Sequence, residues 1–166
     1  MRVILFEDQK AADLHPASLA RPTATIPCGG YRLEELVQFL DSPVIHAPRP
    51  YLRGIVPAVD RQMLAHEGND YHLFINGRIV PNQVALEHLK KWVATPEPGI
   101  VAEHDTLLAA MVPSDSLTTD DLDAENLLEM VSQKKIPRRD ISLPAFEFPH
   151  HIIQQHLECL TNNLAH

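Results

Sequence analysis

The residues of this 166-residue chain whose types and placement could do chemistry are Asp8, Arg21, Gly29-Gly30, Asn76-Gly77-Arg78 and Asp105. Together they point to an anion, with or without a cation. Asp8 ends the apolar run Arg2-Val3-Ile4-Leu5-Phe6, and α/β sheets bind ligands at such strand ends. It could hold a metal or a ribose hydroxyl, or cap a turn. Arg21 stands beside Pro22, and its guanidinium could grip a phosphate with two hydrogen bonds. The bland alternative is a surface arginine pairing with one of many acids. Gly29-Gly30 precede a helical pattern and could offer backbone N–H groups to a phosphate, or make only a tight turn. Asn76-Gly77 is a strong signal for a two-residue hairpin turn, and that reading needs no ligand. His104-Asp105 reads as another turn.

Other groups carry less. Of the ten histidines, His150, His151 and His156 share a helical stretch, but without the i, i+4 spacing of a zinc helix. Cys28 and Cys159 are far apart and form no Cys-x-x-Cys pair. Neither a zinc site nor a disulfide framework is indicated, and reduced thiols in a cytoplasmic protein are the simplest account. Lys134–Arg139 reads as a solvated basic loop, and Trp92 as a partly buried helix anchor. No serine or cysteine has a nearby base that would make it a nucleophile.

The elements that must position these residues follow from periodicity. Residues 2–6 are a buried strand, and 9–29 a long loop of the kind that is more often functional than idle. Leu33, Leu36, Val37 and Leu40 share one face of a helix over 31–40. Short strands are expected at 43–47, 71–75 and 78–80, the last two joined as a hairpin through Asn76-Gly77. A helix is expected at 57–65 and another at 83–93, with Asn82 as its N-cap. Strands follow at 100–103 and 106–112, an acidic helix within 114–133, and a last helix at 150–160 behind Pro149. Strands alternate with helices, so an α/β fold is the default: a central, mostly parallel sheet with helices on both faces.

Composition narrows the function classes. The chain is long enough for one domain with a real core, and 45% hydrophobic residues do not suggest disorder. Fourteen prolines imply many loops and abrupt element ends. A net charge of −8 repels nucleic acid and anionic lipid at long range, so neither is an expected partner. No run approaches the roughly 20 apolar residues of a membrane helix, and no signal peptide is visible. The expected location is cytoplasmic. The chain reads as a single domain over 1–166 that could be the N-terminal piece of something longer.

Three stretches carry a resemblance: the strand ending in Phe6-Glu7-Asp8 with Leu19-Ala20-Arg21-Pro22 behind it, Leu73-Phe74-Ile75-Asn76-Gly77-Arg78, and Asp105-Thr106-Leu107-Leu108-Ala109-Ala110. A weaker echo is Phe148-Pro149-His150-His151-Ile152-Ile153. In order and spacing they resemble the sugar nucleotidyltransferase domain at the N-terminus of GlmU-like proteins, where it precedes a left-handed β-helix of the hexapeptide-repeat acyltransferase type. Leu14–Ala20 is similar to the segment after the glycine-rich signature of sugar-1-phosphate nucleotidyltransferases, and Pro27-Cys28-Gly29-Gly30 resembles the turn that opens their first long helix. The resemblance implies a three-layer, Rossmann-like fold of the nucleotide-diphospho-sugar transferase type, with a mixed, mostly parallel sheet. It implies a reaction of a sugar 1-phosphate with a nucleoside triphosphate, releasing pyrophosphate, usually with Mg2+. It assigns phosphate contacts to Arg21 and Arg78 as catalytic residues. Substrate would be bound by Asp8, Gly29, Gly30, Asn76 and Gly77, and the metal by Asp8 and Asp105. Homo-oligomers would follow from the family's β-helix.

The chain departs from that pattern. The glycine-rich G-x-G-T-R signature is replaced by Gln9-Lys10-Ala11-Ala12-Asp13. The phosphate-contacting Pro-Lys has become Arg21-Pro22-Thr23, and Arg78 stands where a metal-binding acid is expected after Asn-Gly. Arginine cannot ligate magnesium, but it could neutralise phosphate charge in a metal's place. Two functions therefore stand side by side: a sugar-1-phosphate nucleotidyltransferase, and a catalytically degenerate module that binds a nucleotide sugar or regulates an attached acyltransferase.

Overall fold

A computed structural model of the chain describes residues 1–54, 71–116 and 124–164. The helix expected at 57–65 and the first part of the one within 114–133 lie outside the described residues. Five strands form one sheet: β1 (Arg2–Phe6), β2 (Val44–Ala47), β3 (Tyr71–Asn76), β4 (Gly99–Glu103) and β5 (Thr106–Pro113), in the order β2-β1-β3-β5-β4. The β1–β2 and β1–β3 junctions are parallel, and β3–β5 and β5–β4 antiparallel. The sheet is thus mixed, its parallel half carrying the strands nearest the N-terminus. Val3, Ile4, Leu5, Phe6, Leu73, Phe74 and Ile75 are all buried, as expected of strands covered on both faces.

On one face lie Leu33 and Leu36 of a short helix, α1 (Leu33–Leu36), and Val37 and Leu40 of the 3-10 turn that continues it. Ala85, Leu86, Leu89 and Trp92 of α2 (Gln83–Ala94) share that layer. Asn82 caps α2, its side chain accepting from the Ala85 N–H at 2.7 Å. Leu127, Met130 and Val131 of α3 (Ala124–Gln133) cover the opposite face. The last helix, α4 (Pro149–Leu164), runs four residues beyond its expected end. Its Cys159 packs with Leu14, Ile26, Cys28, Val80 and Phe146 in a third, smaller core.

The hairpin expected at Asn76-Gly77 does not form. Gly77 donates its N–H to the Phe6 carbonyl at 2.8 Å, and Ile79 bridges Ala145 rather than continuing the sheet. Val80 donates to Pro144 and Phe146 to Arg78, each at 2.8 Å, so a remote segment has taken the partners a hairpin would use. The Lys134–Arg139 segment is not simply a solvated loop either. Ile100 donates to Pro137, and Arg139 to Ile100, along β4. The long loop over 9–29 is ordered by two 3-10 turns, Gln9–Leu14 and Thr23–Thr25.

Candidate functional site

The register of β1 on β3 brings Phe6 beside Asn76. Two residues on, each chain segment leaves the sheet, and Asp8 and Arg78 meet. The Arg78 Nε donates to Asp8 Oδ1 at 2.9 Å, and its Nη2 to Oδ2 at 2.7 Å, a two-pronged pair. The third arm, Nη1, donates to the Phe146 carbonyl at 2.6 Å. Asn76 locks the arrangement. Its Nδ2 donates to Asp8 Oδ2 and to the Leu107 carbonyl, both at 2.9 Å, while its Oδ1 accepts the Arg78 N–H. Arg78 is 1% exposed. A buried guanidinium is tolerable only when its charge and its donors are satisfied together, and here they are.

Gly77, between these two side chains, lies against the loop. A Cβ there would come within 2.5 Å of Thr23 Oγ1 and 3.2 Å of the Ala24 nitrogen. Only glycine lets the turn after β3 approach the loop after β1 so closely.

Glu7, the neighbour of Asp8, does a second job that the residue types alone had not signalled. Its buried carboxylate accepts the Thr23 N–H at 2.7 Å through one oxygen. Through the other it accepts the Arg49 N–H at 3.0 Å and the Arg49 Nε at 3.2 Å. Arg49 Nη2 then donates to the carbonyls of Ser18 and Arg21. Glu7 and Arg49 therefore bolt the loop over 9–26 across the carboxyl end of the parallel strands. The sequence signal available for this was an acid at a buried strand's end and an arginine held between Pro48 and Pro50.

Arg21 is carried on that strap. Its side chain is exposed and forms no hydrogen bond or ion pair with a described residue. It borders a hollow of about 490 Å³ walled by Pro16, Leu19, Ile26, Pro27 and Ile152.

Gly29 and Gly30 have positive φ, 61° and 89°, and make the tight turn of a small Cys28–Tyr31 bridge. The Gly29 backbone is engaged by α4. The Gly29 N–H faces His156 Nδ1 at 3.2 Å, and its carbonyl accepts from Asn163 Nδ2 at 2.8 Å. A Cβ on Gly29 would lie 2.6 Å from that of Cys159. The glycine therefore admits a helix 130 residues away in sequence. Burial first, then the neighbouring Cys159, pushes the Cys28 thiol up to about 12, which removes it as a nucleophile near neutral pH. Asp105 is exposed in the β4–β5 turn, where His104 takes a left-handed conformation, φ 51°.

Magnesium, which the family resemblance implies, takes several free oxygens in near-octahedral array. Both Asp8 oxygens are held by Arg78 and Asn76. Among the described residues, no three His, Cys, Asp or Glu side chains come together to hold a metal ion. The described residues at this strand end do not fit a magnesium site, because Arg78 already neutralises the carboxylate that would carry it.

No helix among the described residues is long and apolar enough to cross a membrane. No curated protein matches the chain. A solved structure titled "Putative Glucose-1-Phosphate Thymidylyltransferase from Bacillus anthracis in Complex with a Sucrose" shares the fold, with TM-score 0.55 and 9% identity over 95% of this chain and 94% of that one. The family model described as "Sugar nucleotidyl transferase" matches residues 3–165. The chain belongs to the sugar nucleotidyl transferase family.

Proposed function

We propose that this domain binds a nucleotide or nucleotide sugar through its phosphates and does not perform magnesium-dependent nucleotidyl transfer. The observation that carries this reading is the buried Asp8–Arg78 pair, whose Arg78 is 1% exposed. Arg78 neutralises Asp8 where a metal would, and together with Asn76 it engages both Asp8 oxygens. Arg21 is an exposed cation that could take a phosphate, and the apolar hollow beside it offers walls to a base or sugar ring. Asn76 and Gly77 hold the site's frame, and Gly29 and Gly30 its contact with α4. Asp105 stays exposed at the same sheet end, where it could meet a ribose or sugar hydroxyl.

The transfer reaction is the second reading, favoured by the family match over residues 3–165. A sugar-phosphate oxygen would form a bond to the α-phosphorus as the α–β bridging bond breaks and pyrophosphate leaves. Positioning and charge neutralisation would be the protein's contributions.

Calorimetric titration with UTP, dTTP, UDP-N-acetylglucosamine and N-acetylglucosamine 1-phosphate, in magnesium and in EDTA, separates the readings. Saturable binding of one compound, unchanged by EDTA and without pyrophosphate release, is the expected result. Silence across the panel for a folded chain overturns phosphate binding. Steady pyrophosphate release overturns the loss of catalysis.

A further inference from the structure

The opposite end of the same strands holds charge in an unusual state. Five buried side-chain polar atoms have no hydrogen-bond partner among the described residues, and four of them belong to Arg2, His72 and Ser114. They are Arg2 Nε and Nη1, His72 Nδ1 and Ser114 Oγ. The register gathers these residues. Arg2 pairs with His72 across β1–β3, His72 pairs with Val112 across β3–β5, and Ser114 comes two residues after Val112. Arg2 is 7% exposed and His72 1%. No Asp or Glu among the described residues forms an ion pair with Arg2.

A buried guanidinium without a counter-charge costs several kcal/mol, and buried donors without acceptors add to that. Such a cluster is stable only if something anionic completes it. Arginine Nε–H and Nη–H, the serine hydroxyl and an imidazole N–H can all donate to an oxyanion, and arginine and serine are common phosphate partners. Burial, then the charges of Arg2 and the chain's amino group, hold the His72 imidazole down at about 4, which agrees with a local excess of positive charge. The cluster lies six residues from Asp8 along the chain, about 20 Å at the rise of a strand, so it is separate from the site described above.

We infer that Arg2, His72 and Ser114 form a second anion site at the amino end of the parallel strands, taking a phosphate-class oxyanion. The source is either free inorganic phosphate or the phosphate of a sugar phosphate, and the two are distinguished by titrating inorganic phosphate and N-acetylglucosamine 1-phosphate separately. Both titrations use the whole chain carrying Arg21→Ala, so that binding beside Arg21 does not contribute, with sodium chloride at matched ionic strength as the control. Saturable binding is expected in phosphate or sugar phosphate and not in chloride. Affinity should fall at least tenfold in Arg2→Met and severalfold in His72→Gln and Ser114→Ala. Should Arg2→Met fail to fold, the two milder variants carry the same test. Binding that none of the three variants weakens overturns the site. So does the absence of saturable binding, which would mean that a carboxylate of the chain itself neutralises Arg2.

Discussion

At the carboxyl ends of β1 and β3, Asp8 and Arg78 satisfy each other completely, with Asn76 and the Phe146 carbonyl taking the remaining bonds. At the amino ends of the same two strands, Arg2 and His72 lie side by side with three buried nitrogens unmatched among the described residues. Both arginines are more than nine-tenths buried. Burial alone therefore does not say whether a charged group builds the fold or awaits a ligand; the partner does. A paired ion is structural because removing either half strands the other. One without a partner among the described residues is the one to test for a ligand. At the end where α/β folds commonly bind ligands, it is the strand-end ion pair that is closed.

The largest effect should come from breaking the closed end. Arg78→Ala strands the Asp8 carboxylate and is expected to cost about 3–5 kcal/mol in urea unfolding. The double variant Asp8→Asn, Arg78→Met should lose less than the sum of the single changes, because no charge is left uncompensated. Equal additivity would show that the pair is not coupled and would erase the contrast between the two ends.

Next in size is a pH effect of His72 at the open end. Folded His72 titrates at about 4 against an ordinary 6.5, so between those values the unfolded chain binds the extra proton. Stability is full above 6.5 and falls as the pH drops toward 4, by about 3 kcal/mol in all. His72→Gln should flatten that slope. An oxyanion bound at Arg2 would favour the imidazolium and bring the folded value back toward 6.5, so phosphate should make the fall smaller.

Gly29→Ala should cost about 2 kcal/mol. It places a Cβ on Cys159 and Asn163 at a positive φ, and thermal unfolding checks it. Smallest in stability is Arg21→Ala, expected within about 0.5 kcal/mol of the parent because its side chain is exposed. The same change should weaken nucleotide or nucleotide-sugar binding about tenfold, the loss of one charge-assisted contact. A variant that binds as well as the parent would take the candidate site away from the strap.

The strands were legible because buried strands read as apolar runs, and α2 because its apolar period and its Asn82 cap agree. The family resemblance rests on stretches at β1, β3 and β5 and points to the right fold. The turn after β3 was misread for a physical reason. Asn-Gly is a local signal, but Gly77 is spent on a close approach to Thr23 and on the Phe6 carbonyl, and both partners are remote. In the sequence Asp8 and Arg78 stand as separate groups seventy residues apart, and it is the register of β1 on β3 that brings them together. Gly29 likewise looked like a phosphate turn because its neighbour in space, α4, lies at the far end of the chain. Glu7 and Arg49 carried no motif at all. Their importance appears only when the loop they fasten is seen to cross the sheet.

The most direct test of the closed site is the magnesium dependence of nucleotide binding. Titrating the chain with UTP and with UDP-N-acetylglucosamine, first in EDTA and then in excess magnesium, should give one affinity in both solutions. Pyrophosphate should stay at background when N-acetylglucosamine 1-phosphate is added. Tenfold tighter binding in magnesium, with pyrophosphate released, would contradict the account: Asp8 would then be giving up Arg78 to hold a metal.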